Sequence, residues 1–211
     1  MFFVGYCCDA DVDFLKRMYT RNDVLIGVDQ GADVLVRNGL KPHFVVGDFD
    51  SLETDLVAFG DECEIVTLKT EKDQSDLEFA IDYIIERMRD KEDFEMVIVN
   101  NLQGRIDHIM STVFLLEKHT NAKIISAEQE LFLVHNGFSK ELHLDSCVSL
   151  LPISEEVKGI TTCGFYYNLN NETLYRKNSR GISNRSVDGV VGVSFEEGKL
   201  LGSMRYDDCR E

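Results

Sequence analysis

The sequence of 211 residues combines 44% hydrophobic with 28% charged residues, which supports a folded core and excludes disorder as the dominant state. Its 22 basic and 38 acidic residues give a net charge of −16, which opposes nucleic-acid binding. No apolar run approaches the roughly 20 residues that span a bilayer, and the acidic N-terminus lacks the basic start of a signal peptide. We therefore expect a soluble, cytoplasmic protein without a nucleic-acid or membrane partner.

The cysteines give no sign of a metal site or a disulfide framework. There are six of them, and neither a C-x-x-C pair nor a paired Cys/His spacing occurs. We expect reduced thiols, which agrees with the cytoplasmic assignment.

The first half alternates strands with helices. Short apolar runs at 2–6, 24–28, 44–46, 65–68 and 97–99 predict strands. Apolar spacing predicts helices over 31–38, 76–88 and 106–118, and Ser75 with Glu78 predicts a capping box before the second of them. This alternation indicates a Rossmann-like parallel sheet covered by helices.

From about residue 122 short β-rich runs replace the helical periods. They lie at 123–126, 130–134, 138–144, 147–151, 160–162, 190–195 and 200–206. Asn136-Gly137, Asn170-Asn171 and Glu197-Gly198 stand where hairpins would turn. We predict an α/β domain over 1–120 and a C-terminal all-β sandwich or barrel domain over 121–211.

Acidic residues follow four of the predicted strands of the first half. Because ligands of open α/β sheets bind beyond the carboxyl ends of the strands, these positions are the candidate site. The acids are Asp29 after 24–28, Asp48 and Asp50 after 44–46, Asp73 and Asp76 after 65–68, and Asp107 after 97–99. Four converging carboxylate segments suit Mg²⁺ that also carries substrate phosphates.

Each acid taken alone also fits a turn or a helix cap, and we expect Ser75 and Asp107 to cap helices. Asp48 and Asp50 differ, because alternate carboxylates in an extended segment point the same way and repel one another without a cation. Gly47 before them permits close backbone approach.

Neither a G-x-x-x-x-G-K-[ST] loop nor a G-x-G-x-x-G turn is present, which excludes an ordinary P-loop and an ordinary dinucleotide-binding turn.

The basic residues of the same loops have two possible roles. They either bind phosphate or form ion pairs with Glu71 or Asp73, and both interpretations stay open for Arg105, Lys69 and Lys72. His108, at the start of a helix on this rim, either touches a ligand or is a partly buried structural imidazole, and we favour the second interpretation. Four basic residues lie close together in the second half, namely Arg176, Lys177, Arg180 and Arg185. We interpret this basic cluster as part of a solvent-exposed loop.

Five short motifs follow one another along the chain. They are Asp29-Gln30-Gly31-Ala32, Gly47-Asp48-Phe49-Asp50-Ser51, Asp73-Gln74-Ser75-Asp76, Gly104-Arg105-Ile106-Asp107-His108 and Gly181-Ile182-Ser183-Asn184. In this order they resemble the D-G-G-A, G-D-F-D-S, D-x-[ST]-D, G-R-x-D-[HQ] and late S-N motifs of the thiamine pyrophosphokinases. Gln30 departs from the family's first glycine.

The resemblance implies an enzyme that transfers the pyrophosphoryl group of ATP to the hydroxyl of thiamine, giving thiamine diphosphate and AMP with Mg²⁺. It also implies a homodimer with its sites at the interface. By the same resemblance Asp48, Asp50 and Asp76 hold Mg²⁺ and the triphosphate, Asp29 and Asp107 complete the acidic rim, Arg105 contacts phosphate, and Ser183 and Asn184 bind thiamine. The other candidate ligand-binding positions of these motifs are Gln30, Gly31, Ser51, Asp73, Ser75 and Gly104.

Two other functions remain open at this point. A strand followed by Asp48-Phe49-Asp50 resembles the D-x-D nucleophile of haloacid-dehalogenase-like phosphatases, although here it follows the third apolar run and Gly47 interrupts the approach. A non-catalytic sensor of thiamine or nucleotide would keep the pocket without turnover.

Overall fold

The computed structural model describes residues 2–5, 9–50, 52–88, 94–100 and 102–208. It divides into two compact units, Met1–Ala127 and Glu128–Glu211. The predicted boundary after residue 120 falls within the first of these units. Across the described ranges, none of the helices is long and apolar enough to cross a membrane.

The first unit alternates strands with helices throughout. Its elements are β1 (Phe2–Gly5), α1 (Asp9–Met18), β2 (Val24–Val28), α2 (Gln30–Arg37), β3 (Phe44–Gly47), a 3-10 helix (Leu56–Phe59), β4 (Glu64–Thr67), α3 (Asp76–Arg87), β5 (Met96–Val99), α4 (Ile106–Lys118) and β6 (Ala122–Ile125). The strands pair in parallel in the order β6-β5-β1-β2-β3-β4. The predicted parallel sheet with helices is therefore confirmed.

The sheet of this unit is buried because apolar strands lie beneath packed helices. Every residue of β5 is buried, as is every residue of β2 after Val24, which is typical of parallel strands covered on both faces. Leu15 of α1 and Leu35 of α2 join one core cluster with Leu25 of β2.

The structure differs from the sequence-based expectation at three elements of the first unit. Helix α1 and the 3-10 helix were not predicted. Strand β6, which we grouped with the β-rich half, pairs in parallel with β5 and belongs to the first unit. A short apolar run carries no information about its strand partner, which explains why composition alone misplaced it.

The second unit consists of antiparallel strands. They are β7 (Gln129–Val134), β8 (Phe138–Glu141), β9 (Ser146–Pro152), β10 (Glu156–Cys163), β11 (Glu172–Tyr175), β12 (Asn184–Arg185), β13 (Val190–Ser194) and β14 (Leu200–Asp208). One set is ordered β12-β9-β14-β7 and the other β11-β10-β13-β8. A single core cluster takes side chains from both sets, among them Val148, Met204, Ile160 and Val193. The predicted all-β fold is confirmed.

The three predicted hairpin turns have different outcomes. Asn170-Asn171 joins β10 to β11, which pair with each other, and Asn171 has a φ of 51°. Asn136-Gly137 leads from β7 to β8 and Glu197-Gly198 from β13 to β14, and in both cases the connected strands lie in different sheets. These two turns are therefore crossings between sheets rather than hairpins.

Candidate active site

The first unit contains a cavity of about 260 Å³ where the strand ends meet the starts of α3 and α4. This is the edge at which an open parallel sheet binds its ligands. The cavity is lined by Asp29, Ser75, Asp76, Leu77, Asn100, Gln103, Asp107, His108, Ile109, Ser111 and Thr112.

Asp29 reaches this edge through an unusual backbone conformation. It follows β2 with φ 47° and ψ −128°, a region that L-residues rarely adopt. Its N–H donates to the Val46 carbonyl at 3.0 Å, and its own carbonyl accepts from the Ala32 N–H at 2.9 Å. Gly47 leaves room for the side chain, because a Cβ built there would lie 2.1 Å from Asp29 Oδ1.

The Asp29 carboxylate is poorly compensated in the described part of the chain. Its Oδ1 atom is buried without a hydrogen-bond partner there. Burial raises the pKa of Asp29 to about 7, with further contributions from the negative charges of Asp76, Asp48 and Asp50, while Lys72 opposes them. The negative charges of these three neighbours therefore lie close enough to Asp29 to disfavour its ionisation.

Asp48 and Asp50 lie in a turn after β3. Phe49 between them has a left-handed φ of 61°, and the Asp50 N–H donates to Asp48 Oδ1 at 3.3 Å. The expectation of an extended segment was wrong, because Asp48 stabilises its own turn through this side-chain contact. Asp33 of α2 fixes the same loop by accepting from the Glu53 and Thr54 N–H groups at 2.9 and 2.8 Å.

Helix α3 begins at Asp76 and places its carboxylate at the cavity. Ser75 is the N-cap, as predicted, and its hydroxyl oxygen accepts from the Glu78 N–H at 3.2 Å.

The Lys72 ammonium forms an ion pair with Asp76, with 3.0 Å between Nζ and Oδ1, and also donates to the Lys69 carbonyl at 3.0 Å. If Lys72 was not a phosphate ligand, we expected it to pair with Glu71 or Asp73. That choice of partner was wrong, because Lys72 pairs with Asp76, four residues further along the chain.

Arg105 and Asp107 form a two-point ion pair at the start of α4. The Arg105 Nη2 and Nε atoms lie 2.6 and 3.2 Å from the two carboxylate oxygens of Asp107. Hydrogen bonding from Arg105 lowers the pKa of Asp107. The expectation that Asp107 caps a helix was wrong, because α4 begins at Ile106 and Arg105 takes the cap position without a side-chain hydrogen bond.

His108 lies at the cavity and is exposed, so the interpretation as a partly buried structural imidazole was also wrong. Neighbouring polar groups that we did not single out line the same cavity. Asn100 occupies the strand-end position, and Ser111 and Thr112 each lie four residues after a cavity residue of α4, which is the spacing of one helix face.

The remaining candidates of the first unit are distributed around this edge. Gln30 and Asp73 are exposed, whereas Gly31 is buried in the first turn of α2. Gly104 is exposed with a φ of 95°, a conformation that favours glycine. Ser51 lies outside the described residues.

Ser183 and Asn184 lie in the second unit beside a cavity of about 540 Å³, and Asn184 belongs to its lining. The other lining residues are Leu150, Thr162, Tyr166, Tyr167, Asn168, Leu169, Ser179, Arg180, Gly181 and Ile182. Ser183 has a left-handed φ of 54°, and its N–H donates to Ser149 Oγ at 3.0 Å.

Two members of the basic cluster form ion pairs within the second unit. Arg180 pairs with Glu172, and Arg185 pairs with Asp145.

The chemistry of the first cavity suits a hard divalent cation. Its donors are carboxylate oxygens, and Asp29 Oδ1 is a buried acceptor without a hydrogen bond. Over the described ranges, no three His, Cys, Asp or Glu residues are grouped closely enough to hold a metal by themselves. The predicted ligands Asp48, Asp50 and Asp76 therefore do not form a metal-binding group on their own, and Asp48 and Asp50 do not belong to the lining of this cavity.

The chain thus combines two kinds of unit. The first is a parallel α/β unit with a carboxylate-lined cavity beyond its strand ends, and the second is an antiparallel β unit. The family model for the thiamin pyrophosphokinase catalytic domain matches residues 15–126, and that for the thiamin pyrophosphokinase vitamin B1 binding domain matches residues 137–200. The chain belongs to the thiamine pyrophosphokinase family.

Individual relatives agree with this assignment. Thiamine pyrophosphokinase of Bacillus subtilis is 31% identical over 193 residues, which cover 87% of this chain and 88% of the relative. The crystal structure of thiamin pyrophosphokinase from Geobacillus thermodenitrificans superposes with a TM-score of 0.82 at 27% identity, covering 98% of this chain and 96% of the other. Thiamin pyrophosphokinase from Candida albicans shares the fold, with a TM-score of 0.79 at 15% identity over 98% and 88% of the two chains.

Proposed function

We propose that this protein is a thiamine pyrophosphokinase that uses ATP and thiamine and releases thiamine diphosphate and AMP. The observation that carries the proposal is the carboxylate-lined cavity at the strand ends of a chain that belongs to this family. The family assignment gives no support to the phosphatase. We expect the enzyme to act in the cytoplasm.

The first unit is proposed to bind the nucleotide and the metal. Asp48, Asp50 and Asp76 would hold Mg²⁺ only together with phosphate oxygens of ATP, because the three residues do not form a metal-binding group by themselves. Asp29 and Asp107 would complete the acidic rim. When bound, Mg²⁺ would neutralise negative charge on the phosphate oxygens. The second unit is proposed to bind thiamine through the segment that includes Ser183 and Asn184.

The proposed reaction is an in-line attack of the thiamine hydroxyl on the β-phosphorus of ATP. A bond forms between the hydroxyl oxygen and the β-phosphorus, the bond from that phosphorus to the oxygen bridging the α-phosphate breaks, and the hydroxyl proton is released. No covalent intermediate on the protein is required, so positioning and charge neutralisation are the protein's main contributions.

Two cations beside the carboxylates are suited to bind the phosphates. Lys72 contacts Asp76 and Arg105 contacts Asp107, both at ion-pair distance. A phosphate oxygen can replace the carboxylate as the partner of either cation, and the planar guanidinium of Arg105 can bind two oxygens at once. We propose that this exchange of partners reduces the repulsion between ATP and the acidic rim.

We further propose that the chain forms a homodimer with its active sites at the interface. Three apolar side chains of α4 are exposed at i, i+4 and i+8, namely Ile106 (78%), Met110 (47%) and Phe114 (53%). Such a stripe is typical of a surface that a partner covers. Asp107 and Ser111 of the same helix line the cavity, so a partner on α4 would lie next to the site.

Product identification tests the proposed function. The purified protein is incubated with thiamine, ATP and Mg²⁺, and the products are identified by mass spectrometry. We expect equimolar thiamine diphosphate and AMP. Free phosphate in place of AMP would indicate the phosphatase, and saturable binding of thiamine without any product would indicate the sensor.

A further inference from the structure

The cavity of the second unit has an aromatic wall. Tyr166 and Tyr167 follow β10 and are 53% and 68% exposed. Their ring centroids are 4.8 Å apart with an interplanar angle of 89°. Two large exposed rings at the mouth of a cavity with several polar lining groups are typical of a small-molecule site.

Strand β12 holds this aromatic wall in place. The Asn184 side chain accepts from the Tyr167 N–H at 3.0 Å through Oδ1 and donates to the Tyr167 carbonyl at 2.9 Å through Nδ2. The Tyr166 N–H donates to the Arg185 carbonyl at 2.9 Å. Both polar atoms of the Asn184 amide are thus used on the backbone of Tyr167, which suits a supporting role better than direct contact with a ligand.

The charges around the wall are compatible with a cationic ligand. The Arg185 guanidinium carbon lies 4.2 Å from the Tyr166 ring centroid, and its Nη1 atom lies 2.5 Å from Asp145 Oδ1. Arg180 at the cavity is ion-paired with Glu172. Each arginine is therefore compensated by a carboxylate, and the face of Tyr166 beneath Arg185 is already covered, which leaves Tyr167 as the better ring for a ligand.

We propose that Tyr167 is the residue on which the aromatic ring system of thiamine packs, and that Asn184 is a positioning residue that holds Tyr167 in place. The inference rests on the proposed function, because it takes thiamine as the ligand. An electron-rich phenol ring attracts both an aminopyrimidine and a cationic thiazolium at its face.

A fluorescence titration tests the contact directly. The chain contains no tryptophan, so Tyr167→Trp places a single indole at the proposed site and keeps an aromatic ring there. Tyr175→Trp is the matched control, because Tyr175 is exposed in the same unit but does not line the cavity. Thiamine is added with and without AMP and Mg²⁺. We expect a saturable loss of emission from the Tyr167→Trp variant and no change from the control.

Kinetics then separate binding from structural support. Tyr167→Ala should raise the KM for thiamine about three- to ten-fold while the KM for ATP changes less than about two-fold. Tyr167→Phe should retain the wild-type KM for thiamine, and Tyr175→Ala should match the wild type. Asn184→Ala should reproduce the thiamine-specific rise, whereas a merely structural role would alter both KM values together with the melting temperature.

The outcomes distinguish this inference from the proposed function. If the wild-type protein forms AMP with thiamine but the emission at position 167 does not respond, the inference is overturned and the proposed function stands. If the emission responds saturably while no AMP forms, the thiamine contact stands and the proposed activity fails. Equal KM changes for both substrates in Tyr167→Ala would also overturn the inference.

Discussion

Asp29 is the residue whose environment makes the clearest prediction for pH dependence. Its pKa of about 7 lies above the ordinary value of 3.8, so the folded state keeps a proton that the unfolded chain releases between about pH 4 and 7. The free energy of unfolding should therefore fall as the pH rises through this window in metal-free buffer. Above pH 7, Asp29→Asn should be more stable than the wild type by about 2 kcal/mol.

Urea unfolding at pH 4.5 and pH 8, with a chelator present, measures this difference. The advantage of the Asp29→Asn variant over the wild type should be small at the lower pH and larger at the higher one. Stability curves of wild type and variant that stay parallel from pH 4.5 to pH 8 would contradict the assignment of the raised pKa to Asp29.

Gly47 is predicted to be required for the shape of the site. A methyl group at this position would lie 2.1 Å from Asp29 Oδ1, so Gly47→Ala must displace the carboxylate. We expect a loss of about 1–3 kcal/mol in the free energy of unfolding and at least a ten-fold lower kcat. Gly189→Ala is the control, because a Cβ there meets nothing within 4 Å. Unchanged kcat in Gly47→Ala would contradict this role.

At the level of single residues, the sequence predicted which residue types lie at the strand ends better than it predicted their contacts. Asp29, Ser75, Asp76 and Asp107 do line one cavity. The left-handed turn at Phe49 was missed, because its cause is a local side-chain contact of Asp48 that a β-strand pattern does not contain.

The N-terminus of α3 is the element that places Asp76, and its cap makes an independent prediction. Ser75→Ala removes the hydroxyl that accepts from the Glu78 N–H and should cost about 1 kcal/mol in the free energy of unfolding. Ser139→Ala on an exposed position of β8 should change it by less than about 0.5 kcal/mol. Urea unfolding measures both values, and equal values for the two variants would argue against the cap.

Helix boundaries were predictable from the apolar periodicity, even at α4, where the predicted cap residue was wrong. The predicted helix over 106–118 has those ends in the structure, and that over 76–88 ends one residue earlier. The strand partners were not predictable, as β6 and the sheet crossings at Asn136-Gly137 and Glu197-Gly198 demonstrate. Pairing depends on contacts between distant residues, which a local pattern does not encode.

The proposed dimer is a property of the whole molecule and rests on the apolar stripe of α4. A charge within this stripe should be incompatible with a covered surface, so Phe114→Glu should shift the protein from dimer to monomer at micromolar concentration. Val57→Glu introduces the same charge at an exposed apolar residue of the 3-10 helix and should leave the dimer intact. Sedimentation velocity measures both variants.

A wild-type protein that sediments as a monomer would contradict the proposed dimer, as would a Phe114→Glu variant that stays dimeric. The sequence predicted the apolar period of α4 but not its exposure. Periodicity identifies the apolar face of a helix, whereas only the three-dimensional structure shows whether the rest of the same chain covers it.

The most direct test of the proposed pyrophosphoryl transfer follows the label of β-³²P-labelled ATP. We expect that, only when thiamine is present, the label moves into thiamine diphosphate while unlabelled AMP is released. We also expect that Asp50→Asn abolishes most of this transfer without unfolding the protein. Label recovered in ADP or in free phosphate, with none in thiamine diphosphate, would contradict the proposed pyrophosphoryl transfer.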